Sequence, residues 1–249
     1  MIVRDSMTHY NQYQQPVGEP LESWQGAELP AKQPLIGKYC RLEPIDAGKH
    51  SEDLYRAFSE AEDARDWTYL LTGPFKRQGD YQAYLAHLQT LNDPLHYAII
   101  DLTTQRAIGS IALMRIDALQ GVIEIGHVTY SSKLKRTRLS TEAIILLLRY
   151  TLEDLGYRRV EWKCNALNQP SRAAALRLGF TYEGLFRQAM VVRGHNRDTA
   201  WFSIIDHDYP ALQAAYQQWL APDNFDLQGQ QRHKLSILIE QQRATTTSL

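Results

Sequence analysis

The hydrophobic pattern changes period near residue 141, and this change limits the fold more than any other feature of the chain. Before that point, three runs alternate apolar and polar residues as strands do, with turns short enough for antiparallel hairpins. These runs cover residues 96–102, 107–116 and 122–130. From Thr141 to Leu155 the apolar residues follow helical spacing, Ser140 or Thr141 can cap the start, and Gly156 stands where a C-terminal glycine belongs. We therefore predict an antiparallel meander followed by a long amphipathic helix.

The rest of the chain adds helices and strands on both sides of this unit. Upstream, a strand at 39–43 precedes a helix that contains Leu54 and Phe58 and that Ser51 can cap. The further predicted elements are a loop at 67–75, a helix at 80–91, a strand at 159–165, a helix at 170–178, and strands at 180–192 and 197–205. The predicted fold class is mixed α/β, with a mostly antiparallel central sheet flanked by helices.

The two ends of the chain differ from this central part. Residues 1–34 are rich in Gln, Pro, Glu and Tyr and lack periodicity, which is typical of an arm that lies over the domain or over a partner. Residues 35–208 form the predicted domain. Residues 209–249 form a predicted helical tail, with apolar residues such as Leu212 and Tyr216 on one face.

Composition and charge argue against several classes of protein. With 27 Lys+Arg against 28 Asp+Glu, the 249-residue chain has a formal charge of −1 at pH 7, whereas nucleic-acid-binding domains are usually strongly basic. The longest apolar run, 143–148, is too short to cross a bilayer, and the chain turns polar after Val3 with no apolar signal core, so we predict neither a membrane span nor an export signal. Cys40 and Cys164 match neither a disulfide framework nor a metal site. We expect a cytoplasmic protein without a metal and without a nucleic-acid or membrane partner.

A basic loop stands between the last strand of the meander and the long helix. Its sequence, SSKLKRTRLST, contains Lys133, Lys135, Arg136 and Arg138. The start of a helix offers unpaired N–H groups and the positive end of the helix dipole, and both favour a phosphate or pyrophosphate. Basic side chains would add charge-assisted contacts. The alternatives are a solvated basic run, or a site for an anionic polymer whose binding would depend strongly on salt.

Three segments give the chain a resemblance to a known family. They are IEIGHVTYSSKLKRTRLSTEA, NQPSRAAALRLGFTYEG and RDTAWFSII, and the resemblance covers approximately residues 35–206. The second segment, an Asn with Ser at +3 followed by Leu-Gly-Phe and Tyr-Glu-Gly, is the most specific. On these segments the chain resembles the GNAT superfamily of acyl-CoA-dependent N-acyltransferases, in its RimJ/RimL-like branch. The resemblance implies a sheet whose central strands splay apart, and acetyl-CoA as cosubstrate.

The resemblance also indicates where the coenzyme would bind. In such proteins the loop before the long helix usually reads Gln/Arg-x-x-Gly-x-Gly/Ala, and its amides hold the CoA pyrophosphate. Here Arg136 and Arg138 occupy the glycine positions. Because glycine alone adopts positive φ angles at little cost, we expect a loop with ordinary φ values whose two guanidiniums bind the phosphates instead. The residues expected at the pyrophosphate are Lys135, Arg136, Thr137, Arg138, Leu139, Ser140 and Thr141.

By the same resemblance, the pantetheine arm lies in the gap between the two splayed strands. Its amides would pair with free backbone groups of Val128, Thr129 and Tyr130, as a substitute strand does. The backbone N–H near Val128 is then the expected donor to the oxyanion. Asn168 either holds a pantetheine carbonyl or caps the helix that follows it.

Attack of an amine on a thioester needs a base, a stabilised oxyanion and a proton for the departing thiolate. Glu124 is the candidate base, since it lies on the strand that would meet the thioester; the alternative is a strand Glu paired with Arg or Lys. Many family members carry a Tyr seven residues after the Asn, and that position is Ala175 here. Ser171 is the candidate acid in its place, unless its hydroxyl only satisfies a backbone group in the first turn. His127 and His195 could also act as bases, although a histidine without an orienting partner is more often structural.

Aromatic side chains are the candidates for an acceptor pocket, with core packing as the alternative. They are Trp67, Tyr69, Phe75 and Tyr182, together with Trp201. We predict transfer of acetyl from acetyl-CoA to a primary amine, either a protein N-terminus or a small amine, by direct attack in a ternary complex. Succinyl transfer and a noncatalytic acyl-CoA-binding or regulatory module stay open as alternatives. The oligomeric state is also open, with a homodimer as one candidate.

Overall fold

The computed structural model describes residues 8–247, and within this range it contains ten strands and six helices. The strands are β1 (His9–Tyr10), β2 (Pro16–Val17), β3 (Leu35–Ile36), β4 (Cys40–Pro44), β5 (Leu95–Asp101), β6 (Arg106–Asp117), β7 (Val122–Tyr130), β8 (Arg159–Asn165), β9 (Thr181–Val192) and β10 (His195–Ile205). The helices are α1 (Ala47–Ser59), α2 (Gln78–Thr90), α3 (Arg138–Arg149), α4 (Gln169–Arg177), α5 (Tyr209–Trp219) and α6 (Leu235–Thr247). Each strand and helix predicted between residues 39 and 205 is present, with ends shifted by a few residues.

Eight of the strands form one sheet in the order β3-β4-β5-β6-β7-β8-β10-β9. All neighbours in it are antiparallel except β7 and β8, which run parallel. The last paired position of β7 and β8 is Glu124 opposite Glu161. Beyond it β7 continues to Tyr130 and β8 to Asn165, so the two strands separate in the middle of the sheet. The mixed, mostly antiparallel fold and the splayed central strands predicted from the sequence are confirmed.

Helix α3 begins earlier than expected. Its N-cap is Thr137, whose Oγ1 accepts the N–H of Ser140 at 3.3 Å, so the prediction of Ser140 or Thr141 as the cap was wrong. The threonine hydroxyl has the reach to take a first-turn N–H group, which fixes the start of the helix there. After Arg149 the helix widens into one π turn, and Gly156 then follows with φ of +74°. That value is the left-handed conformation in which glycine ends helices.

Helix α1 also begins elsewhere than predicted. Asp46 is its N-cap, because a side-chain oxygen of Asp46 accepts the backbone N–H of Lys49 at 2.9 Å. Ser51, the predicted cap, is buried inside the helix instead. A carboxylate at the N-cap also lies at the positive end of the helix dipole, which favours this earlier start.

Alternate residues of each central strand face different helices. On β5, Tyr97 and Ile99 belong to the core cluster that contains the apolar side of α3, whereas Ala98 and Ile100 pack with α1 and α2. Successive side chains of a strand point to opposite faces of a sheet, so the two clusters lie on opposite faces. Helices therefore cover both faces at this end of the sheet.

The N-terminal arm contacts the domain from Trp24 onward, and residues 1–7 lie outside the described part of the chain. The indole Nε1 of Trp24 donates to the carbonyl of Leu119 at 2.8 Å. The backbone N–H of Ala31 donates to the hydroxyl of Tyr150 at 2.9 Å. The arm also forms the short hairpin β1–β2, which its composition did not predict.

The C-terminal segment forms α5 and α6, which pack on the same core as α3. Leu212, Tyr216 and Leu235 are buried in it, and the hydroxyl of Tyr216 donates to the carbonyl of Leu178. The tail is thus joined to the domain by buried apolar contacts. None of the helices within residues 8–247 has the length and apolar character needed to cross a membrane.

Candidate active site

The gap between β7 and β8 opens into a cavity of about 460 Å³. Residues of β6, β7, β8, β9 and β10 line it, together with the start of α4 and the loop after α1. On β8 the apolar residues Val160 and Trp162 belong to the core around α3, while Glu161 and Lys163 alternate with them. Lys163 lines the cavity, and so do Trp162 and Cys164, which also belong to that core.

A β-bulge shapes the β7 wall of the cavity. Ala112 of β6 pairs with Gly126 and Ser110 pairs with Thr129, so two β7 residues, His127 and Val128, stand opposite one residue of β6. His127 has φ of +49°, a left-handed value that marks the bulge. Gly126, His127 and Val128 all line the cavity, on the side of β7 where β8 has moved away. The bulge therefore re-aims the backbone at the position predicted to hold an oxyanion.

Glu124 lies where the two strands part, on the cavity wall and only 5% exposed. Its Oε2 accepts from Nζ of Lys163 at 3.0 Å and from a guanidinium nitrogen of Arg115 at 3.1 Å. Burial raises the pKa of Glu124, and the charges of Lys163 and Arg115 oppose this rise by stabilising the carboxylate. Glu124 therefore combines the ion pairs of a structural residue with the cavity position expected of a base.

One neutral histidine, His127, shares the cavity wall with this carboxylate, and a second, His96, lies against His127. His127 lines the cavity, and its ring centroid is 5.0 Å from that of His96. Burial, followed by the charge of Arg115, lowers the pKa of His127, while burial and His127 lower the pKa of His96 to about 3. An unprotonated His127 at neutral pH can accept a proton. His195, the other histidine considered, is exposed at the start of β10 and is no part of the cavity lining.

Ser171 and Asn168 both reach the cavity at the start of α4. The side-chain oxygen of Asn168 accepts the N–H of Ser171 at 3.2 Å, so Asn168 is the N-cap of the helix. The hydroxyl of Ser171 accepts from the indole Nε1 of Trp162 at 3.0 Å, which leaves the hydroxyl hydrogen to donate. Ala175 is fully buried in the core and adds nothing to the cavity lining.

The loop before α3 keeps a backbone that glycine usually provides. Arg136 has φ of +60°, so the expectation of ordinary φ values was wrong. An L-residue pays roughly 1–2 kcal/mol in that conformation. The chain returns to an extended conformation at Thr137, which caps α3. The N–H groups of Arg138 and Leu139, in the first turn, have no partner within the helix.

The two lysines of the loop are paired with carboxylates across the site. Nζ of Lys133 lies 2.7 Å from a carboxylate oxygen of Glu60, at the end of α1. Lys135 forms an ion pair with Asp66, which lines the cavity. These pairs connect the loop to the segment after α1 and neutralise half of its basic charge.

The two arginines of the loop differ from each other. The guanidinium of Arg138 lies over the ring of Tyr39, 4.1 Å from its centroid, and 5.4 Å from that of Phe225. Arg136 is exposed. Aromatic rings hold the guanidinium of Arg138, so that of Arg136 is the more accessible of the two, and phosphate binding by both stays a prediction.

Three further residues predicted to bind the coenzyme have side chains that are committed within the protein. The hydroxyl of Ser140 donates to the carbonyl of Thr137 at 2.7 Å, and the hydroxyl of Tyr130 donates to the carbonyl of Ser140 at 3.1 Å. The hydroxyl of Thr141 accepts from the guanidinium of Arg177 at 2.6 Å. These side chains shape the corner, so any contact with a ligand would come from the backbone.

Of the five aromatic residues predicted to line the acceptor pocket, Tyr69 and Trp201 line the cavity. Trp67 and Phe75 pack in an aromatic cluster instead, with Trp67 edge-on to the rings of Phe58 and Phe75 at centroid distances of 5.6 and 5.9 Å. Tyr182 is exposed and lies outside the cavity lining. These three therefore do not line the cavity: the spacing of Trp67 and Phe75 is also that of core residues, and Tyr182 lies at the surface.

Sequence reasoning missed the cations of the cavity. Lys163 and Arg115 bind Glu124, and Arg197 also lines the cavity. The signal for Lys163 was the alternation of charged and apolar residues on β8. Nothing local indicated Arg197, because its place depends on how β10 pairs with β8.

The two cysteines are free and buried, and Cys164 lines the cavity. Burial raises the pKa of Cys164, which keeps it a neutral thiol. Within the described range 8–247, no group of three or more His, Cys, Asp or Glu side chains is placed to hold a metal ion.

Comparisons with known proteins agree with this geometry. A GCN5-related N-acetyltransferase from Brucella melitensis is 45% identical, with a TM-score of 0.86 over 88% of this chain and 100% of that one. The probable N-acetyltransferase YjcK of Bacillus subtilis is 25% identical over 185 residues, 70% of this chain and 98% of that protein. YdaF of the same organism, named as a ribosomal N-acetyltransferase, is 29% identical over 101 residues, 41% of this chain and 55% of that protein.

The family itself is settled by the domain match. Residues 40–181, more than half of the chain, match the acetyltransferase (GNAT) domain. The prediction of a GNAT N-acetyltransferase with a RimJ/RimL-like sequence is therefore confirmed. The chain belongs to the GNAT acetyltransferase family.

Proposed function

We propose that the cavity between β7 and β8 is where an acetyl group passes from acetyl-CoA to a primary amine, with both molecules bound at once. The observation that carries this proposal is the separation of the strands after the Glu124–Glu161 pair. It leaves backbone groups of β7 without a strand partner on one side, and it places a buried carboxylate beside them. A thin, extended group can pair with such an edge as a strand would.

The residues present fit acetyl-CoA. The unpaired edge of β7 from Gly126 to Tyr130 would hold the pantetheine arm, because β8 has left that edge free. The first-turn N–H groups of Arg138 and Leu139 would hold the pyrophosphate, at the positive end of α3. Exposed Arg136 would add a charge-assisted contact there. The left-handed turn at Arg136 keeps the corner in the shape that glycine gives relatives.

Bound acetyl-CoA supplies a thioester whose carbonyl carbon can accept the amine. As the new N–C bond forms, negative charge develops on the carbonyl oxygen and must be stabilised. The bulge at His127 and Val128 lines the cavity with backbone, so the N–H of Val128 is the proposed donor. A backbone donor held by a sheet needs little reorganisation during the reaction.

The amine must lose a proton as it attacks. Glu124 is the proposed base, directly or through a water molecule, since it is buried at the fork of the strands and its charge is held by Lys163 and Arg115. His127, neutral and on the same wall, is the alternative base. The two differ in that Glu124 has fixed cationic partners, which lower its basicity and orient it.

The thiolate that leaves as the C–S bond breaks must gain a proton. Ser171 is the proposed donor, because Trp162 donates to its oxygen and its hydroxyl hydrogen is directed to a sulfur atom on the cavity wall, that of Cys164. Solvent would return a proton to the serine. Since a thiol is acidic compared with an alcohol, the reaction does not require a strong acid at this point, which fits the small side chain of Ala175.

The charges of the loop bear on the anionic-polymer alternative. Lys133 and Lys135 are paired with Glu60 and Asp66, which reduces the positive field that a polyanion would meet. A noncatalytic acyl-CoA-binding module is the other alternative. It would keep the β7 edge and the corner but would not need a buried carboxylate beside the bulge.

The test is binding followed by turnover. Calorimetry with acetyl-CoA should give one site per chain, and a panel of amines and peptides should include acceptors that release CoA thiol and appear as acetylated products in mass spectra. Tight binding of acetyl-CoA without thiol release from any acceptor would favour the noncatalytic module. Salt-sensitive binding of nucleic acid that acetyl-CoA does not compete would favour the polymer site.

A further inference from the structure

Strand β10 presents unpartnered polar atoms to the cavity. Arg197, Thr199 and Trp201 occupy alternate positions and all line it. Nε of Arg197, Oγ1 of Thr199 and Nε1 of Trp201 are each buried without a hydrogen-bond partner among the described residues. Buried polar groups are nearly always paired, and leaving one unpaired costs about 1–3 kcal/mol. Three such atoms on one strand face indicate a ligand that the wall is built to meet.

The charges of the cavity are not balanced. Its cations are Arg115, Lys163 and Arg197. Glu124 pairs with the first two, and Lys163 also pairs with Glu161, which is shared with Arg159. Asp66, the other acidic lining residue, is paired with a loop lysine. Arg197 has no carboxylate within ion-pair distance in the part of the chain that the structure describes. An anionic ligand would relieve this excess of positive charge, whereas a polyamine would increase it.

Part of the remaining wall is apolar. Leu70, Met114, Phe186 and Met190 line the cavity, and the ring of Phe186 lies against that of Trp201, tilted by 51° with centroids 4.0 Å apart. Apolar side chains around a few convergent polar groups are typical of a small-molecule site. The site therefore combines the unpartnered donors of β10 with room for an apolar group.

From these observations, and resting on the proposed acetyl transfer, we infer that the acceptor is a free α-amino acid with an apolar side chain. Its carboxylate binds Nε and an Nη of Arg197, and it also accepts from Trp201 Nε1 and the Thr199 hydroxyl. A carboxylate has about four acceptor sites, enough for these donors. This places the amine of the same molecule in the cavity that Glu124 lines. A peptide N-terminus would offer only a neutral carbonyl to Arg197.

The experiment compares free amino acids with their carboxamides. With acetyl-CoA saturating, release of CoA thiol is measured for phenylalanine and phenylalaninamide, for methionine and methioninamide, for a peptide that begins with Phe, and for spermidine. We expect kcat/KM for at least one free acid to exceed that of its amide at least tenfold, as an ionic hydrogen bond worth about 1.5–3 kcal/mol would give.

Variants assign that preference to the strand. Arg197→Gln should remove the preference by raising KM for the acid while leaving kcat/KM of the amide and acetyl-CoA affinity within about twofold. The ratio of kcat/KM for the acid to kcat/KM for its amide is compared between variants, so the difference in amine basicity between acid and amide cancels. Trp201→Phe deletes only the indole N–H and should weaken the acid selectively even if Arg197→Gln folds poorly. Arg187→Gln is the matched control, because Arg187 is an exposed arginine on β9 outside the cavity lining. It should change neither the preference for the acid nor the affinity for acetyl-CoA.

The outcomes separate the two proposals. Amides or the peptide acetylated as well as the acids, or acid and amide slowed equally by Arg197→Gln, would overturn the amino-acid assignment while acetyl transfer stands. Spermidine as the preferred acceptor would overturn it in the same way. Binding of acetyl-CoA without thiol release from any acceptor would overturn both.

Discussion

The corner before α3 and the wall formed by β8 and β10 are built in different ways. In the corner local contacts set the backbone, such as the cap from Thr137 to Ser140, although side chains of the corner also reach distant residues such as Glu60 and Tyr39. In the wall they join distant parts of the chain, with Thr199 opposite Asn165 and Trp201 opposite Lys163. The corner depends on the conformation of a few consecutive residues, whereas the wall depends on strand register.

This difference decides what each region can tolerate. At the corner the ligand would contact the backbone, so a change from glycine to arginine preserves the shape as long as the left-handed turn at Arg136 persists. At the wall the side chains themselves meet the cavity, as Lys163 and Arg197 do. Substitutions at the wall should therefore affect turnover and specificity, and substitutions at the corner should affect coenzyme affinity and stability.

The largest expected effect is at the fork of the strands. Glu124→Gln keeps the shape of the side chain and removes the proposed base, so we expect kcat to fall about 100-fold or more, with acetyl-CoA affinity within about threefold of the original. Initial rates of thiol release and calorimetry measure the two quantities.

Glu161→Gln is the control for that variant. Glu161 shares Lys163 with Glu124, at 2.6 Å from Nζ, but does not line the cavity. If the loss of kcat in Glu124→Gln comes from the missing base and not from a lost ion pair with Lys163, Glu161→Gln should change kcat by less than about threefold. Equal losses in the two variants would make Glu124 a structural residue. A full rate in Glu124→Gln with a large loss in His127→Asn would assign the base to His127.

The next effect contrasts the two arginines of the corner. Arg136 is exposed and available to phosphate, while Arg138 is held over Tyr39. Arg136→Ala should weaken acetyl-CoA binding about tenfold, as expected for one charge-assisted contact. Arg138→Ala should change affinity less than threefold and lower stability by about 0.5–1 kcal/mol through the lost cation–π contact. Calorimetry and denaturant titration give both, and the opposite ranking in affinity would show that Arg138 leaves Tyr39 when the coenzyme binds.

The sequence carried most of the fold because the decisive patterns are local. The alternation of the meander and the helical spacing after Thr141 each span a single element, and both are confirmed. Glu124, Asn168 and Ser171 line the cavity, and the sequence pointed to them because they lie within the segments that resemble the family. Patterns of this kind can be read from the sequence without knowledge of the tertiary structure.

The features that could not be predicted depend on contacts between distant segments. Arg138 meets Phe225 of the tail, and Trp67 packs on Phe58, across loops whose path no local pattern fixes. The left-handed conformation of Arg136 was missed for a different reason. An arginine is expected to avoid a positive φ because this conformation costs free energy, but the rest of the loop holds Arg136 in it.

The pH dependence sharpens the role of the wall. Glu124 must be deprotonated to act as base, so activity should be full above its pKa and fall as pH drops through it. Burial raises that pKa above its ordinary value of 4.5, and Lys163 lowers it. Lys163→Met should therefore move the acid limb of the kcat profile to higher pH. Arg159→Met is the control, since Arg159 pairs with Glu161 and Glu183 and its loss should leave the acid limb in place. If the limb stays in place in both variants, it does not report the ionisation of Glu124.

The smallest expected effect tests whether the corner is strained by its own arginine. Arg136→Gly should relieve roughly 1–2 kcal/mol of left-handed strain and lose about 0.5–1 kcal/mol to the greater freedom of glycine in the unfolded chain. The net gain of about 0.5–1 kcal/mol should raise Tm by about 1–3 °C in a thermal melt. Arg138→Gly, in the first turn of α3 with helical backbone, should lower Tm instead. A loss of stability in Arg136→Gly would mean that the arginine side chain contributes more than its conformation costs, and the corner would then depend on residue identity as much as the wall does.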